Sequence, residues 1–210
     1  MHEKSEKPIR LAGVNLGRHR HVCAFFENQD QEDKVIIPFL KEGIDREEGV
    51  FCIAGPERRT HLLQKLRLAG SEVATAEKRG QLKIEQWGPT FVQNGYFDQD
   101  AMVARIEGIL TEGREQGFGL TRFVGHMEWV RQNNVGVDEL VELEMRVTRM
   151  LQKFDDTVVC VYHLSSVSAG ALVNILRTHP VAIIGNLVAE NPFFDPPEVV
   201  MRELSNKRGE

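Results

Sequence analysis

Gly125-His126-Met127-Glu128-Trp129 places an imidazole and a carboxylate two residues apart. On an extended chain, side chains alternate between faces, so His126 and Glu128 are expected on one side. Such a pair can line a ligand pocket, orient a water or contribute to a metal site. The His-x-Glu spacing occurs in zinc deaminases, but their later Pro-Cys-x-x-Cys partner is missing here. The expectation is therefore a ligand-lining role without metal. The bland alternative is a strand end where Trp129 packs and the polar pair is solvated.

A second candidate is Tyr162-His163-Leu164-Ser165-Ser166-Val167-Ser168, just ahead of a helical pattern. Free N–H groups at a helix start can hold an anion, which makes Ser165, Ser166 and Ser168 anion-contact candidates. A capping serine is the simpler reading. His163 could act as a base, but no G-x-S-x-G elbow or ordered Ser–His–Asp set accompanies it. Cys23, Cys52 and Cys160 each lie in an apolar run and form no Cys-x-x-Cys pair. They read as packed free thiols, with no structural zinc. His179 before Pro180 reads as a helix stop.

Phosphate chemistry has little support. Phe26-Glu27-Asn28-Gln29-Asp30, after the first strong strand, contains no glycine, whereas a phosphate loop needs G-x-x-x-x-G-K-[ST]. No G-x-G-x-x-G follows any strand either. Glu190-Asn191-Pro192-Phe193-Phe194-Asp195-Pro196-Pro197-Glu198 combines prolines that punctuate backbone with two phenylalanines needing cover. It reads as a lid at the last edge of a ligand crevice.

The elements that must position these residues alternate. Strand patterns fall at 21–26, 49–55, 81–87, 120–126, 157–163 and 181–190, the last with a hairpin into a seventh strand. Helical spacing fills 30–48, with Asp30 as N-cap and Pro38 as a start or kink, and then 56–70, 98–117, 136–154 and 168–179. A last helix starts at the double proline. This is the pattern of an α/β three-layer sandwich with a mainly parallel central sheet flanked by helices. Ligands in such sheets sit beyond the carboxyl ends of the strands, which selects 26–34, 55–60, 86–97, 125–135, 162–168 and 187–197 as the places to search. Residues 1–18 read as a flexible arm, 19–204 as one domain and 205–210 as a frayed end.

With 210 residues, 41% hydrophobic and 27% charged, the chain can bury a core without staples. A net charge of −5 argues against direct nucleic-acid binding. No apolar run approaches the ~18 residues of a membrane span. With no signal-peptide pattern and an odd cysteine count, the expected location is cytoplasmic.

The ordered set "HVCAFFEN", "GVFCIAGPE", "RFVGHMEW", "VCVYH", "LRTHP" and "ENPFFDPPE", from about His21 to Leu204, resembles the MEDS (methanogen/methylotroph sensory) domain family. That resemblance implies a RecA/KaiC-like core with a degenerate phosphate loop. It also implies sensing of small molecules, including hydrocarbon derivatives, and partnership with a histidine kinase-type protein or transcription regulator. The family pattern commonly carries an acid at the position of His126, so any acid-dependent role there is open.

The expectation is a stand-alone sensory module, not an enzyme, with no cofactor. It binds a small-molecule ligand among Phe26, Trp87, His126, Glu128, Trp129, Tyr162 and Asn191 and signals through a partner, with a homodimer open to test. The alternatives are a degenerate nucleotide binder using Lys34 or the Ser168 helix start, and a ligand-free adaptor whose crevice is plugged by Phe193 and Phe194.

Overall fold

The computed structural model describes residues 8–17, 20–86, 92–93 and 96–209. The elements run β1 (Arg10–Leu11), β2 (Val14–Asn15), β3 (His21–Phe26), α1 (Gln29–Asp45), β4 (Gly49–Ile53), α2 (Pro56–Leu68), α3 (Val73–Lys78), β5 (Leu82–Glu85), β6 (Val92–Gln93), β7 (Tyr96–Phe97), α4 (Gln99–Glu115), β8 (Thr121–His126), α5 (Glu128–Gln132), α6 (Val137–Leu151), β9 (Thr157–His163), a 3-10 turn at Leu164–Ser166, α7 (Ala169–Thr178), β10 (Val181–Ile184), β11 (Leu187–Glu190) and α8 (Pro197–Gly209). Seven strands pair in the order β11-β10-β3-β9-β8-β4-β5. All pairings are parallel except that of β10 with β11.

The central strands β3, β4 and β9 are almost wholly buried because both faces are covered, whereas the edge strands β5 and β11 are partly exposed. Alternate residues feed opposite cores. Val22, Ala24, Cys52, Val124 and Val161 pack toward α1 and α2, while Cys23, Phe25, Phe51, Phe123 and Cys160 pack toward α4, α6 and α7. Burying a side chain the size of valine or phenylalanine stabilises by roughly 1.5–3 kcal/mol, so these two layers hold the sheet.

One close approach explains a helical glycine. Arg122, fully buried on β8, donates to the Phe39 carbonyl at 2.7 Å, to Glu48 Oε2 at 2.6 Å and to Glu42 Oε2 at 3.0 Å. Its guanidinium lies 4.8 Å from the Phe39 ring centroid. A Cβ at Gly43 would stand 2.8 Å from Arg122 Cδ and 2.9 Å from Val50 Cγ2, so glycine there lets α1 lie close over the arginine without displacing either side chain.

Several expectations need correction. Asn28, not Asp30, caps α1, its side chain accepting from the Gln31 N–H at 3.1 Å. The helix runs unbroken through Pro38. That residue is exposed, so the carbonyl it leaves unpaired faces water. The arm expected at 1–18 is partly built: Ile9, Leu11 and Leu16 are buried, and the β1–β2 hairpin packs on α1. Residues 205–209 continue α8.

The largest correction concerns the expected lid. Because β11 runs antiparallel to β10, Glu190 lies opposite Val181. The Asn191–Glu198 segment therefore stands at the amino ends of the parallel strands, away from the carboxyl-end crevice. Asn191 Nδ2 donates to the carbonyls of Leu176 at 2.6 Å and His179 at 2.7 Å. Arg177 pairs with Asp195 at 2.6 Å and Glu203 at 2.7 Å. Phe193 is 64% exposed, so it plugs nothing. The segment is a clasp between α7 and α8.

Candidate functional site

Only Glu27 and Asn28 separate β3 from α1. This link brings the first turn of α1 directly under the carboxyl ends of the strands and places Glu32, 0% exposed, beneath them. His126 and His163 end β8 and β9, and Arg58 sits in the first turn of α2. Their side chains converge on Glu32. His126 Nε2 lies 3.0 Å from Glu32 Oε1 and His163 Nε2 lies 2.7 Å from Glu32 Oε2. Arg58 Nη1 donates to both Glu32 oxygens at 2.8 and 2.7 Å, and Nη2 donates to Glu128 Oε1 at 2.6 Å. His126 Nδ1 faces the Ile53 carbonyl at 3.2 Å. Both ring nitrogens of His126 thus face acceptors.

Burial opposes ionisation of Glu32. Hydrogen bonds from His126 and His163, with the charges of His126 and Arg58, outweigh it and hold this carboxyl well below the usual range. Beside it, Asp33 accepts from Lys65 at 2.9 Å, from His61 at 2.8 and 2.9 Å, and from Gln29 at 2.9 Å. These bonds outweigh desolvation and lower its pKa also.

Two cavities open around this network. A polar cleft of about 800 Å³ is lined by Gln29, Pro56, Arg58, His61, Gln86, Glu128, Trp129 and Gln132. A smaller pocket of about 250 Å³ lies between α5, α6 and α7. Its walls are mainly apolar, with Met127, Val130, Val135, Leu140, Val167 and Ile175, and Glu128, Arg131, Tyr162 and His163 supply polar groups. Glu128 belongs to both.

The candidate residues separate accordingly. Glu128 and Trp129 line the cleft, and Glu128, Tyr162, Ser166 and Ser168 line the pocket. Ser168 caps α7, accepting from the Ala171 N–H at 3.2 Å. Ser165 is exposed and lines neither cavity. Phe26 and His126 are 0% exposed; Phe26 is core, and His126 lies against Glu32 and the Ile53 carbonyl, lining neither cavity. The strand ends at His126 and Met127 caps α5, so strand alternation does not relate His126 to Glu128. Trp87 lies outside the described residues. Asn191 is at the opposite end of the sheet, since β11 runs antiparallel to its neighbour.

Sequence reasoning missed Glu32, Arg58, Asp33 and His61. They fall within or beside two of the selected windows, but nothing local pairs residues 26 to 131 positions apart. It also missed a second gathering. His21, Glu144, Cys160 and His179, all buried, bring one ligand-type atom each to within 4.8 Å of one another.

The class defined by this fold and site is an α/β domain with a mostly parallel sheet, its polar groups converging at the carboxyl end. More narrowly, the chain belongs to the MEDS family, described as "MEthanogen/methylotroph, DcmR Sensory domain", whose pattern matches residues 20–180. The Asn191–Glu198 clasp lies beyond that span. The chain is also similar to the Transcriptional repressor DcmR of Methylorubrum extorquens (strain DSM 6343 / CIP 106787 / DM4), at 25% identity over 177 residues. That match covers 84% of this chain and 64% of the repressor, less than two thirds of its length. Among the described residues, no helix is long and apolar enough to cross a membrane.

Proposed function

We propose that this chain is a sensory domain that takes a small, mainly apolar organic molecule with one polar end into the pocket between α5, α6 and α7. The observation carrying this reading is the shared position of Glu128. It lines the pocket and also holds Arg58 at 2.6 Å, and Arg58 in turn holds Glu32. A ligand polar group that engages Glu128 or His163 competes directly with that network. Its signal is limited to its differential affinity for the two arrangements. Apolar walls with a few convergent polar groups are the usual build of a small-molecule site, and the small volume favours compounds such as short hydrocarbon derivatives.

The output passes to a partner protein, a transcription regulator or a histidine kinase-type protein, and the domain does not contact nucleic acid directly. The setting is cytoplasmic, the domain is not an enzyme, and a homodimer is compatible with this reading. The core is RecA/KaiC-like with its phosphate loop lost. The parallel strands and the two-residue link after β3 support that ancestry. A surviving nucleotide site has less support, because Arg58 is already held by two carboxylates and Lys34 is exposed on α1.

The test is calorimetry with short alcohols, amines, carboxylates and halogenated alkanes against wild type and Val167→Trp. Val167 is half-buried and extended at the pocket wall, so the indole fills the pocket with little backbone strain. Expected is binding by at least one compound and its loss in the variant. No binding at millimolar concentration, or equal binding by a folded Val167→Trp, overturns the proposal.

A further inference from the structure

His21 opens β3, Cys160 lies within β9, Glu144 faces inward from α6, and His179 caps the end of α7. All four are buried. His21 Nε2 stands 3.3 Å from Glu144 Oε2 and 3.5 Å from Cys160 Sγ. Glu144 Oε2 stands 3.7 Å from Cys160 Sγ and 3.5 Å from His179 Nε2. With zinc–ligand bonds of about 2.0–2.3 Å, a tetrahedral site has ligand–ligand edges of roughly 3.3–3.6 Å. Four of the six edges, at 3.3 to 3.7 Å, already approach that figure, and the other two lie within 4.8 Å.

The histidine tautomers are set by their outer partners. His21 Nδ1 lies 2.7 Å from Thr148 Oγ1, whose own hydrogen goes to the Thr178 carbonyl at 2.9 Å. His21 Nδ1–H must therefore donate, which leaves the Nε2 lone pair turned to the cluster. His179 Nδ1 lies 3.0 Å from the Ile175 carbonyl and 2.8 Å from Thr178 Oγ1, whose hydrogen goes to that same carbonyl. His179 Nδ1–H donates in turn, and its Nε2, 0% exposed, has no hydrogen-bond partner. Fixing one ring nitrogen by hydrogen bonding while the other is presented is how proteins orient metal-binding histidines.

We propose that His21, Glu144, Cys160 and His179 form a buried tetrahedral site for a zinc-class divalent cation. Charge balance points the same way. Without metal, Glu144 Oε2 faces two imidazoles whose tautomers both turn a lone pair toward it, at 3.3 and 3.5 Å. Binding releases the Cys160 proton to solvent, and the thiolate, carboxylate and divalent cation then sum to zero in a dry interior. Tyr162 keeps its proton and donates to Glu144 Oε1 at 2.6 Å, holding the carboxylate so that Oε2 faces the ion. The mixed N, O and S donors at tetrahedral spacing select zinc over calcium or magnesium. Because every ligand is buried, the ion is taken up as the chain folds.

The test refolds the full chain, stripped by chelator in denaturant, with and without cobalt(II), and reads the spectrum. Expected are one equivalent bound per chain, the ligand-field bands of a tetrahedral site and a thiolate-to-cobalt charge-transfer band. Cys160→Ser removes the charge-transfer band. Tyr162→Phe keeps the spectrum but weakens binding at least about tenfold, as loss of an outer partner does. No stoichiometric uptake by wild type, a spectrum without the thiolate band, or a Cys160→Ser spectrum identical to wild type overturns the site. The wild-type spectrum decides even where a variant fails to fold.

Discussion

Replacing Glu32 by glutamine removes one charge and keeps the shape. The carboxylate accepts from Arg58, His126 and His163, whose side chains are 13%, 0% and 18% exposed, and is itself 0% exposed. Removing one partner of a buried ion pair costs about 3–5 kcal/mol. Arg58 retains Glu128, a partner 35% exposed, so the lower end applies and the expected loss is about 3 kcal/mol. For a chain of this size each kcal/mol moves the midpoint about 2–4 °C, which gives a fall of roughly 6–12 °C. The pH dependence has a defined sign. The folded Glu32 carboxyl is held below its unfolded value of about 4.3, so its stabilisation is complete above that pH and drains as pH falls toward the folded pKa. Urea unfolding of wild type and Glu32→Gln at pH 7 should therefore differ by about 3 kcal/mol, and the gap should narrow below about pH 4. A gap under about 1 kcal/mol at pH 7, the value of an exposed pair, or one that widens in acid, would refute the reasoning.

Asn191→Ala orphans the Leu176 and His179 carbonyls and should cost about 2–3 kcal/mol by chemical denaturation. Asn191→Asp should cost more, since it turns a carboxylate on two acceptors, and neither change should alter ligand affinity measured by calorimetry. Gly43→Ala presses a methyl onto Arg122 and Val50, which costs about 1–3 kcal/mol against a helix gain of about 1 kcal/mol. A net loss of roughly 1 kcal/mol is expected in urea, and a stabilised variant would show that Arg122 can yield.

The alternation of apolar strands and amphipathic helices is a local signal, and the sheet with its two covering layers was legible in it. So were the end of α7 at His179 and the capping by Ser168, because caps involve residues three apart. The polarity of β11 was less visible. A hairpin was readable, but its consequence, carrying Asn191 to the far end of the sheet, follows only once β10 is paired with β3. The short α5 escaped because Gly125–Trp129 continues a strand pattern that the backbone abandons at Met127. Neither charge cluster was legible as a unit. Glu32 meets His163 across 131 positions, and Cys160 meets His21 across 139, distances over which spacing carries no information.

Helix α6 presents two adjacent stripes. Leu140 lines the small pocket while Glu144 and Thr148, each a turn further on, reach the histidine and cysteine cluster. Val141 and Met145, one position over, grip Val200 and Leu204 of α8. A rigid rod cannot tilt at one end alone. Leu140, Glu144 and Val141 therefore join the pocket wall, the buried cluster and α8 through one helical backbone. On its far side α8 is tied to α7 by the clasp, through Arg177 with Asp195 and Glu203.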